Sequence, residues 1–406
     1  MPEWRRGLAR RHRCPCLKKE ARMPELQSKL PKVGTTIFTV MSKLAEQAGA
    51  LNLGQGFPDF EPPKAFAAAL ERHVRGGKNQ YAPMPGVPRL LTQIARKLER
   101  DYGCKLDAET QITVTDGATE GIYDAITTLI RPGDEVIVFD PCYDSYEPAV
   151  TLSGGSVIHL PLDADFRIDW QRVKDTINSR TRLIVVNFPH NPSGALLRPS
   201  DLDTLHELTE NTNIFVLSDE VYEHIVFDGR AHQSLLRHAA LCERSFVVGS
   251  FGKAYHATGW KVGWVVAPAA FTAELRKVHQ FVTFSTSTAA QHAFADVLEA
   301  QPELLRELPV FYQRKRDHFR SLLAPSRFRL LPVAGTYFQL ADYSELSDEP
   351  DLDFARRLTI EAGVAVIPVS PFYATPPTRR IVRLCFAKND ATLEHAAVRL
   401  CELQGR

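Results

Sequence analysis

The chain has 406 residues, 44% hydrophobic and 24% charged, the make-up of a globular protein with room for two domains. Its 49 Lys and Arg nearly balance 48 Asp and Glu, and a net charge of +1 gives no global electrostatic case for nucleic acid or a membrane surface as partner. No apolar run approaches the ~18 residues of a membrane span, and seven cysteines without paired metal-type spacing point to a reducing, cytoplasmic setting and to no metal site.

Residues 1–25 carry Arg5, Arg6, Arg10, Arg11, Arg13, Lys18, Lys19 and Arg22 against Glu3 and Glu20, with almost no apolar periodicity, and are expected to form a disordered basic tail. From Thr36 to Ala48 the residues Phe38, Met41, Leu44 and Ala45 share one helical face. Leu51-Asn-Leu-Gly-Gln-Gly56-Phe57-Pro58-Asp59-Phe60 follows as a short strand and turn, with Gly56 allowing close approach to the backbone. Helices are predicted over Pro63–Arg75 and Val87–Tyr102, separated by an exposed loop centred on Tyr81.

From Gln111 the rhythm becomes strand, turn and helix. The strand Gln111–Thr115 leads to a small-residue turn over Asp116–Glu120 and a helix from Gly121 to Ile130; further strands are predicted at Glu135–Phe139, Ser156–Leu160, Thr181–Val186 and Ile214–Leu217. Ser245–Val248 and Val262–Ala267 flank a segment rich in Gly, Ser and Lys, which predicts strand, tight loop and strand, with Lys253 at the end of the first. An amine at a buried strand end loses water, and desolvation favours its neutral, nucleophilic form. Near-continuous apolar strands alternating with helices predict an α/β fold whose large, mainly parallel sheet is covered on both faces, with ligands gathering beyond the strand ends. A long helical region is expected from Phe271 to about Ala324. A smaller α+β unit follows, with strands over Phe328–Leu340, Val364–Val369 and Ile381–Phe386 and helices over Leu352–Glu361 and Thr392–Leu403.

The chemically loaded residues Thr119, Tyr143, Asn191, Asp219, Tyr222, Ser250, Lys253 and Lys261 all fall at strand-to-turn junctions of the large sheet. With the motifs Leu-Gly-Gln-Gly-Phe-Pro-Asp-Phe, Asn-Phe-Pro-His-Asn-Pro and Ala-Thr-Gly-Trp-Lys-Val-Gly-Trp in this order, the sequence from about Leu30 onward resembles a class I aminotransferase of the fold-type I pyridoxal-phosphate family. It is most similar to the branch holding methionine aminotransferases and kynurenine or glutamine transaminases.

The resemblance implies pyridoxal 5'-phosphate as cofactor, carried as an aldimine on Lys253, which then shuttles a proton. Asp219, which alone also fits a helix N-cap, would pair with the pyridine nitrogen; Tyr222 and Asn191 would bond the ring's phenolate oxygen. Tyr143 would stack on the ring, and Gly117, Ala118, Thr119, Ser250 and Lys261 would cradle the phosphate, with lysine at 261 where many relatives have arginine. Arg383, a charge inside an apolar strand that alone fits an internal salt bridge equally well, would clamp the substrate carboxylate together with Gly56 and Asn191. Tyr81 would reach the cofactor of a neighbouring subunit, implying a homodimer. The small domain would combine residues 26–62 and 296–406 around a large cofactor-binding domain, 63–295. Phe57, Tyr81, Tyr143, Phe284, Tyr337 and Phe338 suggest an aromatic side-chain pocket and a preference for methionine or aromatic amino donors over aspartate, with a 2-oxo acid as acceptor. Two alternatives remain at this level: a β-lyase acting on cysteine S-conjugates, and a ligand-sensing domain without catalytic activity.

Overall fold

A computed structural model of the protein describes residues 25–404; the basic tail, apart from Glu25, lies outside the described residues. Seven strands form the large sheet, in the spatial order Ile112–Asp116, Val262–Val266, Ser245–Ser250, Phe215–Asp219, Thr181–Asn187, Glu135–Asp140, Ser156–Pro161. The last five in this order pair in parallel, and Val262–Val266 runs antiparallel to both its neighbours. These strands are almost wholly buried apart from Ser156–Pro161, as expected for a sheet covered on both faces.

The reversed strand decides where the charged residues meet. Val262 lies opposite Asp116, and Gly263 opposite Ser250, so the reversed strand begins at the edge where its neighbours end. Lys261, immediately before it, is therefore delivered to the same edge as Gly117, Asn191, Asp219 and Lys253.

A second, four-stranded antiparallel sheet has the order Ile367–Pro368, Ile381–Cys385, Phe338–Asp342, Arg329–Leu330. Leu51–Asn52 pairs in parallel with Val364–Ala365, so the segment before the large sheet is tied to the segment after it. This is the smaller α+β part built from N- and C-terminal stretches that the sequence predicts.

Several local expectations are corrected. Asp116–Glu120 is not a separate turn: the helix begins at Gly117 and runs to Leu129, because Gly117 takes the left-handed conformation (φ 72°) that lets the chain turn from strand into helix at once. The region after Phe271 is three helices, Ala269–Val282, Thr288–Ala300 and Glu303–Leu323. Phe284 at φ 69° breaks the first, and Ser287 caps the second by accepting from the Ala290 N–H. The strand expected over Phe328–Leu340 splits into Arg329–Leu330 and Phe338–Asp342, separated by a loop containing Pro332, Gly335 and Thr336 at φ 64°.

Gly249 and Trp264 face each other across the Ser245–Ser250 and Val262–Val266 strands, and a Cβ on Gly249 would fall onto the buried indole. Gly249→Ala is expected to destabilise the protein by about 1–3 kcal/mol, the usual cost of overpacking, read as a lowered urea midpoint at unchanged slope.

Candidate active site

A cavity opens at the C-terminal edge of the large sheet. Its lining includes Gly56, Gly117, Ala118, Thr119, Tyr143, Asn191, Asp219, Tyr222, Ser250, Lys253, Lys261 and Arg383. Every residue predicted to act on the cofactor or the substrate carboxylate, except Tyr81, is thus brought to one place. Tyr81 is 83% exposed on its loop, its ring centre 5.5 Å from that of Phe284 in an edge-on contact, and does not line this cavity.

Lys253 is not the last residue of a strand, as predicted, but the third of a four-residue helix, Phe251–Ala254, that follows Ser250. Gly252 permits this: a Cβ there would lie 3.0 Å from the Thr258 backbone, where the chain folds back through the 3-10 turn Thr258–Trp260. Helical turns this short leave no periodic signal in sequence. The amine faces the cavity, 3.4 Å from the Gly56 carbonyl oxygen and 5.9 Å from the Tyr222 ring centre. Burial lowers its pKa to about 8, and Arg383 and Lys261 add to that shift against the pull of Asp219. A sizeable neutral fraction at physiological pH follows.

Asp219, ending its strand, is 3% exposed. Its carboxylate accepts from the Tyr146 hydroxyl at 2.7 Å and the Val221 N–H at 3.3 Å. Burial raises its pKa to about 6, opposed by the Tyr146 bond and the charge of Lys253. Among the described residues it is the only carboxylate lining the cavity, against three cations, Lys253, Lys261 and Arg383. Tyr146, whose ring meets Tyr143 edge-on at 5.7 Å, was not singled out in the sequence. Nor was Asn187, which donates to the Asp219 carbonyl oxygen at 3.0 Å and accepts from the Asn191 N–H at 3.2 Å, so that one side chain fixes both. Its signal was visible as the first Asn of Asn-Phe-Pro-His-Asn-Pro.

The helix starting at Gly117 turns its free N–H groups toward the cavity. Ser250 and the Lys261 ammonium stand opposite, and a Cβ on Gly117 would reach within 3.0 Å of Lys261 Nζ. Donors converge there without a carboxylate, which is the chemistry of a phosphate seat. The helix start is held from behind: Glu120 accepts the Asp116 N–H and the His279 Nδ1–H, while His279 Nε2–H donates to the Met84 carbonyl at 3.1 Å. Burial works against a charged His279, but the carboxylates of Asp124 and Glu120 outweigh it and raise its pKa to about 9. Glu120, Asp124 and His279 form one of two triads among the described residues close enough to hold a metal ion, the other being Asp140, Cys142 and His159. Sequence spacing shows neither triad, because each is assembled across separate elements.

Arg383 occupies the central part of the four-stranded sheet, opposite both Leu340 and Ile367, and is 1% exposed. Among the described residues it makes no salt bridge. It donates to Asn191 Oδ1 at 2.8 Å and to the Gly54 carbonyl at 2.9 Å, and its guanidinium lies 3.9 Å from the Phe338 ring centre and 5.1 Å from that of Phe38. Burial lowers its pKa. A buried guanidinium with neutral partners and donors to spare calls for an anionic ligand. Gly56 must be glycine here, since a Cβ would stand 2.9 Å from the Phe338 ring. Of the six aromatic residues expected around the substrate side chain, Tyr143 and Phe338 line the cavity. Phe57, Tyr81 and Phe284 are exposed outside it, and Tyr337 backs it by donating to the Gly56 carbonyl at 2.6 Å. Phe38 and Ile122 supply the missing apolar wall.

The family described as aminotransferase class I and II matches residues 48–400. The chain belongs to this family. It is 54% identical to the methionine aminotransferase of Escherichia coli over 378 residues, covering 93% of this chain and 98% of that one. It is 33% identical to human kynurenine–oxoglutarate transaminase 1, covering 87% and 92%. The solved structure of E. coli YbdL, whose methionine aminotransferase function was identified with it, superposes with a TM-score of 0.92 at 53% identity, covering 94% and 100%. As an aminotransferase of this family, the protein is a pyridoxal-phosphate enzyme that acts on an amino acid and a 2-oxo acid. The cavity fits that cofactor: a reactive amine, an acid near the sheet end and a carboxylate-free cradle lie in one enclosure.

The raised pKa of Asp219 has a measurable consequence. A carboxyl whose folded pKa exceeds its unfolded one adds stability in acid that is lost as pH rises through the folded value, here about 6. In the apo-protein, the stability difference between parent and Asp219→Asn, measured by urea unfolding, is expected to shift in favour of the variant as pH rises from about 4 to about 7; a difference independent of pH would contradict the burial argument.

Proposed function

We propose that the protein is a homodimeric cytoplasmic aminotransferase preferring methionine and other apolar amino donors. The observation that carries the substrate reading is the buried Arg383 guanidinium packed against Phe38 and Phe338, with no second arginine among the described residues lining the cavity. One carboxylate is provided for, and the side chain beyond it meets an apolar wall; a second carboxylate would be desolvated with no second guanidinium to pair it. The 54% identity to a methionine aminotransferase supports the same reading.

Bound pyridoxal phosphate supplies an aldehyde and an electron-withdrawing ring. The chain's own residues then have distinct tasks. Gly117, Ala118, Thr119, Ser250 and Lys261 hold the phosphate. Asp219, steadied by Tyr146 and Asn187, would keep a proton on the ring nitrogen, Tyr222 and Asn191 would bond the ring hydroxyl, and Tyr143 would pack against the ring. Arg383, with Gly56 and Asn191, orients the substrate carboxylate so that its Cα faces Lys253. The Lys253 amine, neutral in good part near pH 8, takes the proton from Cα.

The dimer reading rests on Tyr81, which is exposed beside Phe284, with Phe281 also 84% exposed nearby in sequence. A monomeric mass in sedimentation would contradict it. The five described cysteines are free thiols, which supports a reducing compartment. The division into a large domain, 63–295, and a small one from 26–62 and 296–406 is supported by the pairing of Leu51–Asn52 with Val364–Ala365.

With a common 2-oxo acid acceptor, kcat/KM for methionine is expected to exceed that for aspartate by at least about a hundredfold, since the site offers the second carboxylate no partner. Aspartate as the better donor would overturn the substrate reading. Lys253→Ala is expected to lower turnover of every donor by about a thousandfold or more, a loss seen in single-turnover absorbance.

A further inference from the structure

A second, larger cleft, of about 1010 Å³, lies apart from the catalytic cavity. One wall is the Ala164–Arg167 turn and the Ser193–Pro199 segment; the other is the helix Glu303–Leu323 with the stretch Arg329–Ala334. The two walls lock together: the Ala334 N–H donates to the Gly194 carbonyl at 3.1 Å, and a Cβ on Gly194 would stand 2.6 Å from the Gly335 carbonyl oxygen. The cleft is therefore built into the packing and does not depend on a ligand to form.

Its charge is one-sided. Seven arginines line it against three aspartates, Asp165, Asp228 and Asp317. Two of the arginines are neutralised: Arg316 grips Asp228 with both Nη atoms at 2.7 Å and also meets Asp317, and Arg329 pairs with Asp342. The other five, Arg167, Arg198, Arg230, Arg320 and Arg379, make no salt bridge among the described residues. Arg320 donates only to neutral acceptors, the Leu331 carbonyl at 2.8 Å and Gln339 Oε1 at 2.7 Å, and Arg379 to the Ala164 carbonyl at 3.3 Å. Burial and the neighbouring Arg316 both act against the charge on Arg320.

The setting makes this accumulation unusual. With eight of the 49 basic residues and two of the 48 acidic ones in the first 24 positions, the rest of the chain is net acidic. An acidic body that gathers unpaired arginines in one cleft leaves a local field suited to an anion. Guanidinium groups match phosphate oxygens with paired N–H donors, and several spread over one cleft suit a ligand with several phosphates more than a single ion.

We infer that this cleft is a binding site for a small polyphosphate-bearing ligand, separate from the seat of the cofactor phosphate. Titration calorimetry on the full-length holoenzyme at about 150 mM salt, which screens isolated surface charges, tests it with tripolyphosphate and orthophosphate as probes. Cofactor already fills the catalytic phosphate seat in that sample. Tripolyphosphate is expected to bind at least about tenfold more tightly than orthophosphate. The exposed pair Arg230→Glu and Arg379→Glu should weaken it by at least about tenfold, and Arg198→Glu alone by a smaller factor, with amino transfer retained. Arg75→Glu, on the distant helix Lys64–Arg75, should leave it within about twofold. Absence of tripolyphosphate binding, equal affinity for orthophosphate, or equal weakening by Arg75→Glu would each overturn the assignment.

Discussion

Three cations and one carboxylate share the catalytic cavity, and holding like charges together out of water is the constraint on which the rest of the site depends. Burial lowers the pKa of Lys253 and of Arg383 and raises that of Asp219. The three shifts share one cause, burial, which works against every charge in the cavity, and an anionic ligand would offset the excess of cations. The neutral partners of Arg383 belong to the same logic. A structural salt bridge would satisfy the guanidinium permanently, whereas an amide and a carbonyl orient it and leave its charge for a substrate.

Sheet topology solves the delivery problem. Parallel strands bring Asp219 and Lys253 to one edge without help, but a residue beginning a parallel strand would arrive at the opposite edge. Reversing Val262–Val266 turns Lys261 around, and its left-handed backbone (φ 50°) makes the sharp entry into that strand. Gly263, in the reversed strand, then permits the required closeness. A Cβ on Gly263 would stand 2.7 Å from the Ala118 nitrogen, so its absence lets the phosphate-side helix start settle directly on the sheet.

Much of this was legible in the chain. Apolar runs ending in Asp219 or followed by Lys253 mark strand ends because buried parallel strands are continuous in hydrophobicity, and the order of polar residues after them gives the cavity. What escaped was of two kinds. Short-range geometry, such as the one-turn helix carrying Lys253 or the helix starting directly at Gly117, is set by tertiary contacts over stretches too short to show a period. Long-range convergence, such as Tyr146 under Asp219 or His279 behind Glu120, joins residues 73 and 159 positions apart whose proximity no local pattern records. The aromatic wall failed for a related reason: Phe57 and Phe284 are aromatic residues on loops, and only the fold decides that Phe38 faces the cavity instead.

The bond from Arg383 to the Gly54 carbonyl spans 329 positions, and its partner Asn191 lies between. A ribosome adding ~5–20 residues per second leaves the large sheet complete for several seconds before Ile381–Cys385 is made. During that interval Asp219, Lys253 and Lys261 have been made and Arg383 has not. The closing of so long a loop also places the N-terminal helix Ile37–Ala48 among the last elements to find their partners, since it packs on Asp351–Glu361.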